Sequence, residues 1–405
     1  MAFGIALSGI NAAQSDLNVT ANNIANSNTT GFKQSRSEFS ELFAISPQGV
    51  SKTQNGAGVK IASVAQQFTQ GNIEATNNSL DLAISGQGFF ILSDAGAAAY
   101  TRSGAFQTDN AGYVVNAEGQ RLQVYPPAAS GAFNTTSLAD LRVVTNDSAP
   151  AATTIADIVF NLPSNAPQPS IAAFDPANPN SYNNSTSMTV YDSLGAAHTA
   201  SMYFVKTAAA NSWDTRLYID GTAVGPAQPL LYSNTGAITV PVTGNLPFPA
   251  YTPTTGAADL VLTVNVSRTT QYGDTFGVTA VSQDGYTTGR LIGISIDATG
   301  IVQARFTNGR SISLGQVAVS NFANPQGLQS LGNTNWAETF GSGQALHGQA
   351  GNSGFGLIQA GSLEQSNVNI TAQLVNMITA QRNFQANAQM ISTENQITQT
   401  IINIR

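Results

Sequence analysis

The stretches FGIALSGINAAQSDLNVTANNI (residues 3–24) and ITAQLVNMITAQRNFQANAQMISTENQITQTII (residues 370–402) share one apolar spacing. In the first, Phe3, Leu7, Ile10, Leu17, Ala21 and Ile24 fit a 4-3 heptad, with Gln14 as its polar member. In the second the same spacing runs through Ile370, Leu374, Met377, Phe384, Ala388, Ile391 and Ile402, with Gln381, Asn395 and Thr398 polar. A period of about 3.5 residues marks helices that supercoil around a partner. The chain therefore leaves and returns to one place, and Leu7, Ile10, Leu17, Ile24, Ile370, Leu374, Met377, Phe384 and Ile391 are the expected packing residues.

The remaining faces carry amides instead of charges: Asn11, Asn18, Asn22, Asn23 and Asn26 at one end, Gln373, Gln385, Asn387, Gln389 and Gln396 at the other. Asp16 is the sole charged side chain in residues 1–31, and residues 365–405 hold Arg382, Glu394 and Arg405. An unpaired buried charge is costly, whereas a neutral amide needs only hydrogen-bond partners. Such faces suit packing among copies of one chain; the competing reading is a two-helix stalk with a polar exterior. The helices are rich in Asn and Thr, poor helix formers, so the ends are expected to stay unfolded in a lone chain and to fold on association. The first helix is expected to stop near Asn28 to Gly31. At about 1.5 Å per residue it spans roughly 40 Å.

At 405 residues the chain has room for two or three domains. Charged residues are 9% and the net charge is −7, which argues against a nucleic-acid partner. There is no cysteine, hence no disulfide. A transmembrane run of about 18 apolar residues is absent, and the first residues lack the basic start of a secretory signal. Work outside the cell would then require an export route without a cleaved leader.

Proline maps the organisation: none precedes Pro47, none follows Pro325, and twelve of sixteen lie between Pro150 and Pro253. Helices fit the ends, strands and loops the middle. The expected fold is α+β and multidomain: a terminal α-helical coiled coil plus two β-rich domains in mirror order, the central one inserted. The segments are a helix at 1–31, a Gly/Ser/Gln-rich connector at 32–70, a β-rich domain from 71–145 and 284–362, an inserted β domain at 146–283, and a helix at 363–405. Leu80, Leu82 and Ile84 alternate, as do Val317 and Val319, while Phe89-Phe90-Ile91-Leu92 reads as a buried strand. Hairpins are expected around Asp109–Gly112, Asp192–Gly195 and Asp297–Gly300, with Trp213, Leu217 and Ile219 on a further strand.

Catalytic and metal chemistry is sparse. His198 and His347 have no ligand neighbour at helical spacing and read as surface or turn histidines. Gly86-Gln87-Gly88 precedes a strand and does not open a helix, unlike a phosphate loop. Asp94, Asp109, Asp192 and Asp297 read as turn residues whose carboxylates bond their own backbone. A hydrolase acting on wall glycan would need paired carboxylates in a cleft. A membrane-inserting translocator or adhesin would need a basic interfacial face. No enzyme activity, metal, cofactor or membrane insertion is expected.

Ala21-Asn22-Asn23-Ile24-Ala25-Asn26 followed by Thr30-Gly31-Phe32-Lys33 resembles the N-terminal signature of the bacterial flagellar rod and hook proteins. Ile84-Ser85-Gly86-Gln87-Gly88-Phe89-Phe90 and Tyr100-Thr101-Arg102-Ser103-Gly104-Ala105-Phe106 resemble the next block of that family, and Leu363 to Val368 with Met377 to Ala388 its C-terminal block. Asn22, Asn23, Asn26, Gly31 and Phe32 are the motif positions. The long insertion, with Thr189 to Gly195 and Tyr203 to Lys206, resembles the hook branch; the alternative is a distal rod subunit, which shares the ends and lacks the insertion. The resemblance implies a homopolymer forming a hollow, flexible extracellular tube between motor and filament. It implies export through the flagellar type III apparatus and contacts with flagellar rod proteins, a hook cap protein and hook–filament junction proteins.

Overall fold

In the computed structural model the described residues are 2–42, 56–128, 131–143 and 147–403. They form two compact units, one of Met1–Thr145, Gly293–Arg305 and Ser311–Arg405, the other of Asn146–Ile292 with Phe306–Arg310.

The first unit is assembled from segments that pair the outgoing chain with the returning one. Helix α1 covers Ala2–Ala25 and α2 covers Ile370–Asn403. They run antiparallel: the Asn387 side chain lies against Gly9, and Asn23 Nδ2 donates to Gln373 Oε1 at 3.3 Å. A Cβ at position 9 would come within 2.5 Å of Asn387 Oδ1, so glycine leaves the space that this amide occupies. Asn369 caps α2 by accepting from the Ala372 N–H at 3.0 Å. α1 ends at Ala25, earlier than expected, because residues 26–31 fold into turns held by Asn22 and Asn26. Both ends are continuous helices here, where the sequence suggested unfolded ends in a lone chain; α1 has support from α2 and from a β hairpin.

That hairpin is β1 (Ser35–Leu42) and β2 (Gly58–Gln66), antiparallel with Phe39 opposite Ile61. Its strands lie within the expected connector at 32–70; of that stretch, 43–55 lies outside the described residues. The nesting continues outward. Ile73–Ala75 pairs with Ser362–Glu364, and Leu82–Ser85 pairs with Leu357–Ala360. Ser311–Asn321 pairs with Phe89–Asp94 and with Arg121–Tyr125. Leu82, Ala83 and Ile84 are all buried, as are Val317, Ala318 and Val319, so these strands are covered on both faces and do not alternate.

Asp109 and Asp297 serve their turns as expected, accepting from backbone N–H groups at 2.7 to 2.9 Å. Asp94 does not: the turn Ala95-Gly96 has positive φ at both residues, and Asp94 Oδ2 accepts from Gln120 Nε2 at 3.1 Å. His347 sits exposed on the strand Leu346–Gln349. Phe89 is the hub of the core, edge-to-face with Phe68, Phe322 and Trp336 at centroid distances of 5.5, 5.8 and 5.7 Å. The Trp336 indole N–H reaches Gln66 Oε1 at 2.6 Å, fastening the base of the hairpin to this cluster.

The second unit is a two-sheet sandwich. Ile155–Pro163 buries every second residue and pairs in parallel with Thr263–Asn265 and Thr270–Tyr272, and antiparallel with Gly277–Gln283. The other sheet runs Asn184–Tyr191, Ala197–Lys206, Ser212–Ile219, Gln228–Tyr232, Ile238–Val240, each antiparallel to the next. Their inner faces share one core, in which Phe160 and Phe204 are 4.5 Å apart and Trp213 is fully buried. The unit extends past the expected end at 283, because Tyr286 bridges to Ala151 and Gly289 to Ser148, and Arg310 stacks on Tyr286 at 4.5 Å. His198 is buried between two carboxylates, correcting its reading as a surface or turn histidine.

Truncating Phe89→Ala should destabilise the first unit by about 3–5 kcal/mol, the usual cost of deleting a buried aromatic ring. Urea titration measures it; a cost below about 1 kcal/mol would show that the ring cluster is not the core of that unit.

Candidate assembly surface and its anchoring junction

Where the helices meet the β strands, four segments converge on one carboxylate. Glu364 is the sole acidic residue between Glu338 and Glu394, and it is fully buried. Its Oε1 accepts from Lys33 Nζ at 2.6 Å and from the Gly71 N–H at 2.8 Å. Its Oε2 meets Arg102 Nη1 at 3.3 Å. Its backbone carbonyl accepts from the Gly31 N–H at 2.8 Å. Lys33 donates also to the Thr69 carbonyl at 2.8 Å, and Arg102 Nη2 to the Gly86 carbonyl at 2.9 Å. Burial pushes the Lys33 ammonium below its ordinary pKa and Arg102 likewise, with Glu364 opposing in both cases. Two cations share one anion, and the Arg102 guanidinium lies over the Phe89 ring at 5.3 Å.

Asn23 fixes α1 to this junction. Its Oδ1 accepts from the Ser35 N–H at 2.8 Å and its Nδ2 donates to the Ser35 carbonyl at 2.7 Å, so the amide acts as a strand partner at the start of β1. Asn367 does the same before α2: it accepts from the Gln34 N–H at 2.8 Å and donates to the Gln67 carbonyl at 2.8 Å. Asn26 donates to the Asn22 carbonyl at 3.0 Å and accepts from Thr29 Oγ1 at 3.1 Å, while Asn22 itself is exposed. Gly31 has φ +72°, and a Cβ there would lie 2.5 Å from the Ser103 nitrogen. The Phe32 carbonyl accepts from the Asn367 N–H at 3.4 Å.

The helices divide their residues by size. Their buried positions are small or polar: Ala6, Ala13, Thr20 and Asn23 on α1, Gln373 and Ala380 on α2. Of the expected packing residues, Ile10, Leu17, Ile24, Met377, Phe384 and Ile391 are half-buried. Leu7, Ile370 and Leu374 instead face outward with 43%, 47% and 46% exposure, and Phe3, Ile378 and Ile397 join them. The seam inside the chain is thus turned by about one residue from the expected one, following Gln373, Ala380 and Asn387 in place of Leu374, Gln381 and Ala388. The cause is packing: α1 also rests on the hairpin, and close approach on two sides selects small residues. The hairpin adds Phe39, Ile61 and Val64 to the exposed apolar set.

Lys33, Arg102, Glu364 and Asn367 received no individual role from sequence reasoning. One signal was available: isolated charges (the chain's first cation and a lone acid) in stretches otherwise nearly free of charge. Among the described residues no group of acids, histidines and cysteines has the arrangement of a metal site.

Four family models match the chain: "Flagella basal body rod protein" over residues 3–33, "Flagellar hook protein FlgE/F/G D1 domain" over 83–173, "Flagellar basal body protein FlaE D2 domain" over 161–286 and "Flagellar basal body rod FlgEFG protein C-terminal" over 359–404. The flagellar hook protein FlgE of Escherichia coli K12 is 38% identical over 416 residues, spanning 100% of both chains. That of Borreliella burgdorferi is 32% identical over 441 residues, spanning 98% of each. The crystal structure of Helicobacter pylori flagellar hook protein FlgE2 superposes with a TM-score of 0.54 at 14% identity, over 72% of this chain and 100% of that one, a likeness of fold.

Replacing Glu364→Gln leaves two buried cations without an anion and should cost about 3–5 kcal/mol. Lys33→Met in the same background should recover part of that loss, since the pair is then removed together. Chemical denaturation of the single and double variants checks this; strictly additive losses would show that the three groups do not act as one junction.

Proposed function

The chain belongs to the flagellar hook protein family, and on that premise we propose how its two ends and its β units share the work. It is a structural subunit of the bacterial flagellar hook, an extracellular hollow helical tube of many copies that couples the motor rod to the filament for motility. Its role is structural and not enzymatic. The observation that carries the proposal is the inversion of size on the terminal helices: small and polar residues buried within the chain, large apolar ones facing out.

An exposed Leu or Ile gains about 1.5–3 kcal/mol when it is fully covered. Phe3, Leu7, Ile370, Leu374 and Ile378 are therefore the contacts that sister copies cover, and the amides around them satisfy one another across the interface. Covering these rows in a coaxial layer makes the inner helices stiff to twist. The Lys33–Glu364–Arg102 junction passes the load to the β strands, because helix and strand cannot part without stripping a buried carboxylate of its partners. The β units, low in charge, slide against neighbours at small cost as the tube bends. As partners beyond its own copies we assign the flagellar rod proteins, the hook cap protein, the hook–filament junction proteins and the flagellar export apparatus; family membership supports each. The inserted unit favours the hook reading over a distal rod subunit.

The double variant Leu374→Ser/Ile378→Ser should keep its monomer fold by far-UV circular dichroism and form no tubes in negative-stain micrographs. Normal tubes at wild-type concentration would remove these residues from the interface. A chain lacking 146–292 should still assemble, into tubes without the supercoiled shape; retained curvature would deny the inserted unit a part in bending.

A further inference from the structure

In the inserted unit His198 stands at the start of the strand Ala197–Lys206, and both nitrogens of its buried ring meet carboxylates. Nδ1 lies 2.6 Å from Asp220 Oδ2, and Nε2 lies 3.2 Å from Asp192 Oδ2. A neutral imidazole has one N–H and one bare lone pair; only the imidazolium donates to both. Each carboxylate is anchored by other donors. Asp192 Oδ1 accepts from the N–H groups of Leu194 and Ala196 at 2.9 and 2.8 Å, and its Oδ2 from the Thr255 hydroxyl at 2.7 Å. Asp220 Oδ1 accepts from the Thr199 N–H at 2.9 Å.

The cluster joins three places: the corner Asp192–Gly195, the corner Asp220-Gly221 and the loop closed by the bridge of Tyr251 to Leu260. That loop touches the corners through Thr255, through the Ala258 N–H on Ser193 Oγ at 2.9 Å, and through the Tyr251 ring, edge-on to the imidazole at 6.1 Å. We propose that His198 is a pH-sensitive clasp that holds the loop 251–260 against the two hairpin corners while its imidazole is charged.

The surrounding groups keep one charge state while the imidazole titrates. Burial disfavours the charged ring, but Asp220 and Asp192 outweigh it and raise the His198 pKa above its ordinary 6.5. Burial also opposes ionisation of Asp192, yet the Thr255 hydroxyl, the backbone N–H groups and His198 hold it down to about 2. Asp220 is held low by His198 and the Thr199 N–H against the effect of burial, and burial keeps the Tyr251 phenol neutral. A raised histidine value means that the stabilisation is complete below the ordinary value of 6.5 and is lost as pH rises through the higher folded-state value. The proton leaves Nε2, the longer contact, and its lone pair then faces Asp192 Oδ2, which Thr255 alone continues to hold from the loop.

Hydrogen exchange on the full chain tests the clasp between about pH 6 and about pH 9, after correction for the intrinsic rate. Protection of the Tyr251, Ala258 and Leu260 amides should fall roughly tenfold as pH rises, what loss of one charge-assisted hydrogen bond amounts to. Amides of the strand Ser212–Ile219 should not follow. His198→Gln should make the loop's protection flat with pH, and Asp220→Asn should move the change to lower pH. The histidine ring signals give a second readout, with exposed His347 as internal comparison. Flat protection in the wild-type chain, or His198 titrating at or below 6.5, overturns the proposal. If His198→Gln does not fold, the wild-type titration and Asp220→Asn decide it alone.

Discussion

Everything in the first unit turns on the buried carboxylate of Glu364. It arrives from the last strand before α2 and meets Lys33, which follows α1, and Arg102, which follows the strand Ala97–Thr101. A fully buried ion of either sign is tolerable only with its partners in place. The three segments therefore adopt their positions together or not at all. Hydrophobic contacts alone permit small slides between a helix and a sheet; a carboxylate gripped by Lys33, Arg102 and a backbone N–H does not. Asn23 and Asn367 extend the same logic with neutral groups, Asn23 borrowing backbone partners from the first residue of β1 and Asn367 from the residues that flank β1 and β2.

Much of the architecture was legible in the sequence because it is written in spacing. The two heptads, the proline map and the Asp-to-Gly turns located the helices, the insertion and three of the hairpins. Three features were not legible. The hairpin at 35–66 was hidden because β1 mixes Arg36, Glu38 and Glu41 with Phe39, and its partner strand begins beyond a Gly-rich stretch. The helix seam was misplaced by about one residue because periodicity reports where large apolar residues lie, and in this chain they are not the ones its own helices bury. The buried ions and His198 were missed because a single charged letter carries no sign of its burial; partners 331 residues apart for Lys33, and 22 apart for His198, are supplied only by the fold.

The helices thus have two apolar economies. The inner one is satisfied within a single chain by alanine, glycine, threonine and amides at close range. The outer one is left open along Leu7, Leu374 and Ile378. A subunit built so is folded enough to present a defined surface and incomplete enough to need copies of itself. The amide rows around these apolar residues carry few charges, Asp16 on α1 and Arg382 and Glu394 on α2.

The mirror-order pairing has a kinetic corollary. Each layer closer to the termini is closed by residues farther apart in the chain, with a separation of 350 residues between hydrogen-bonded Asn23 and Gln373 and still more between Gly9 and Asn387. Contacts of such range form slowly, because a long loop must lose its entropy before they return anything. The inserted unit can nucleate from local hairpins, whereas the layer bearing the helices closes only after the final residues are free. A polypeptide paired in this order completes its terminal layer after the rest, since that layer is closed by the longest loops in the chain.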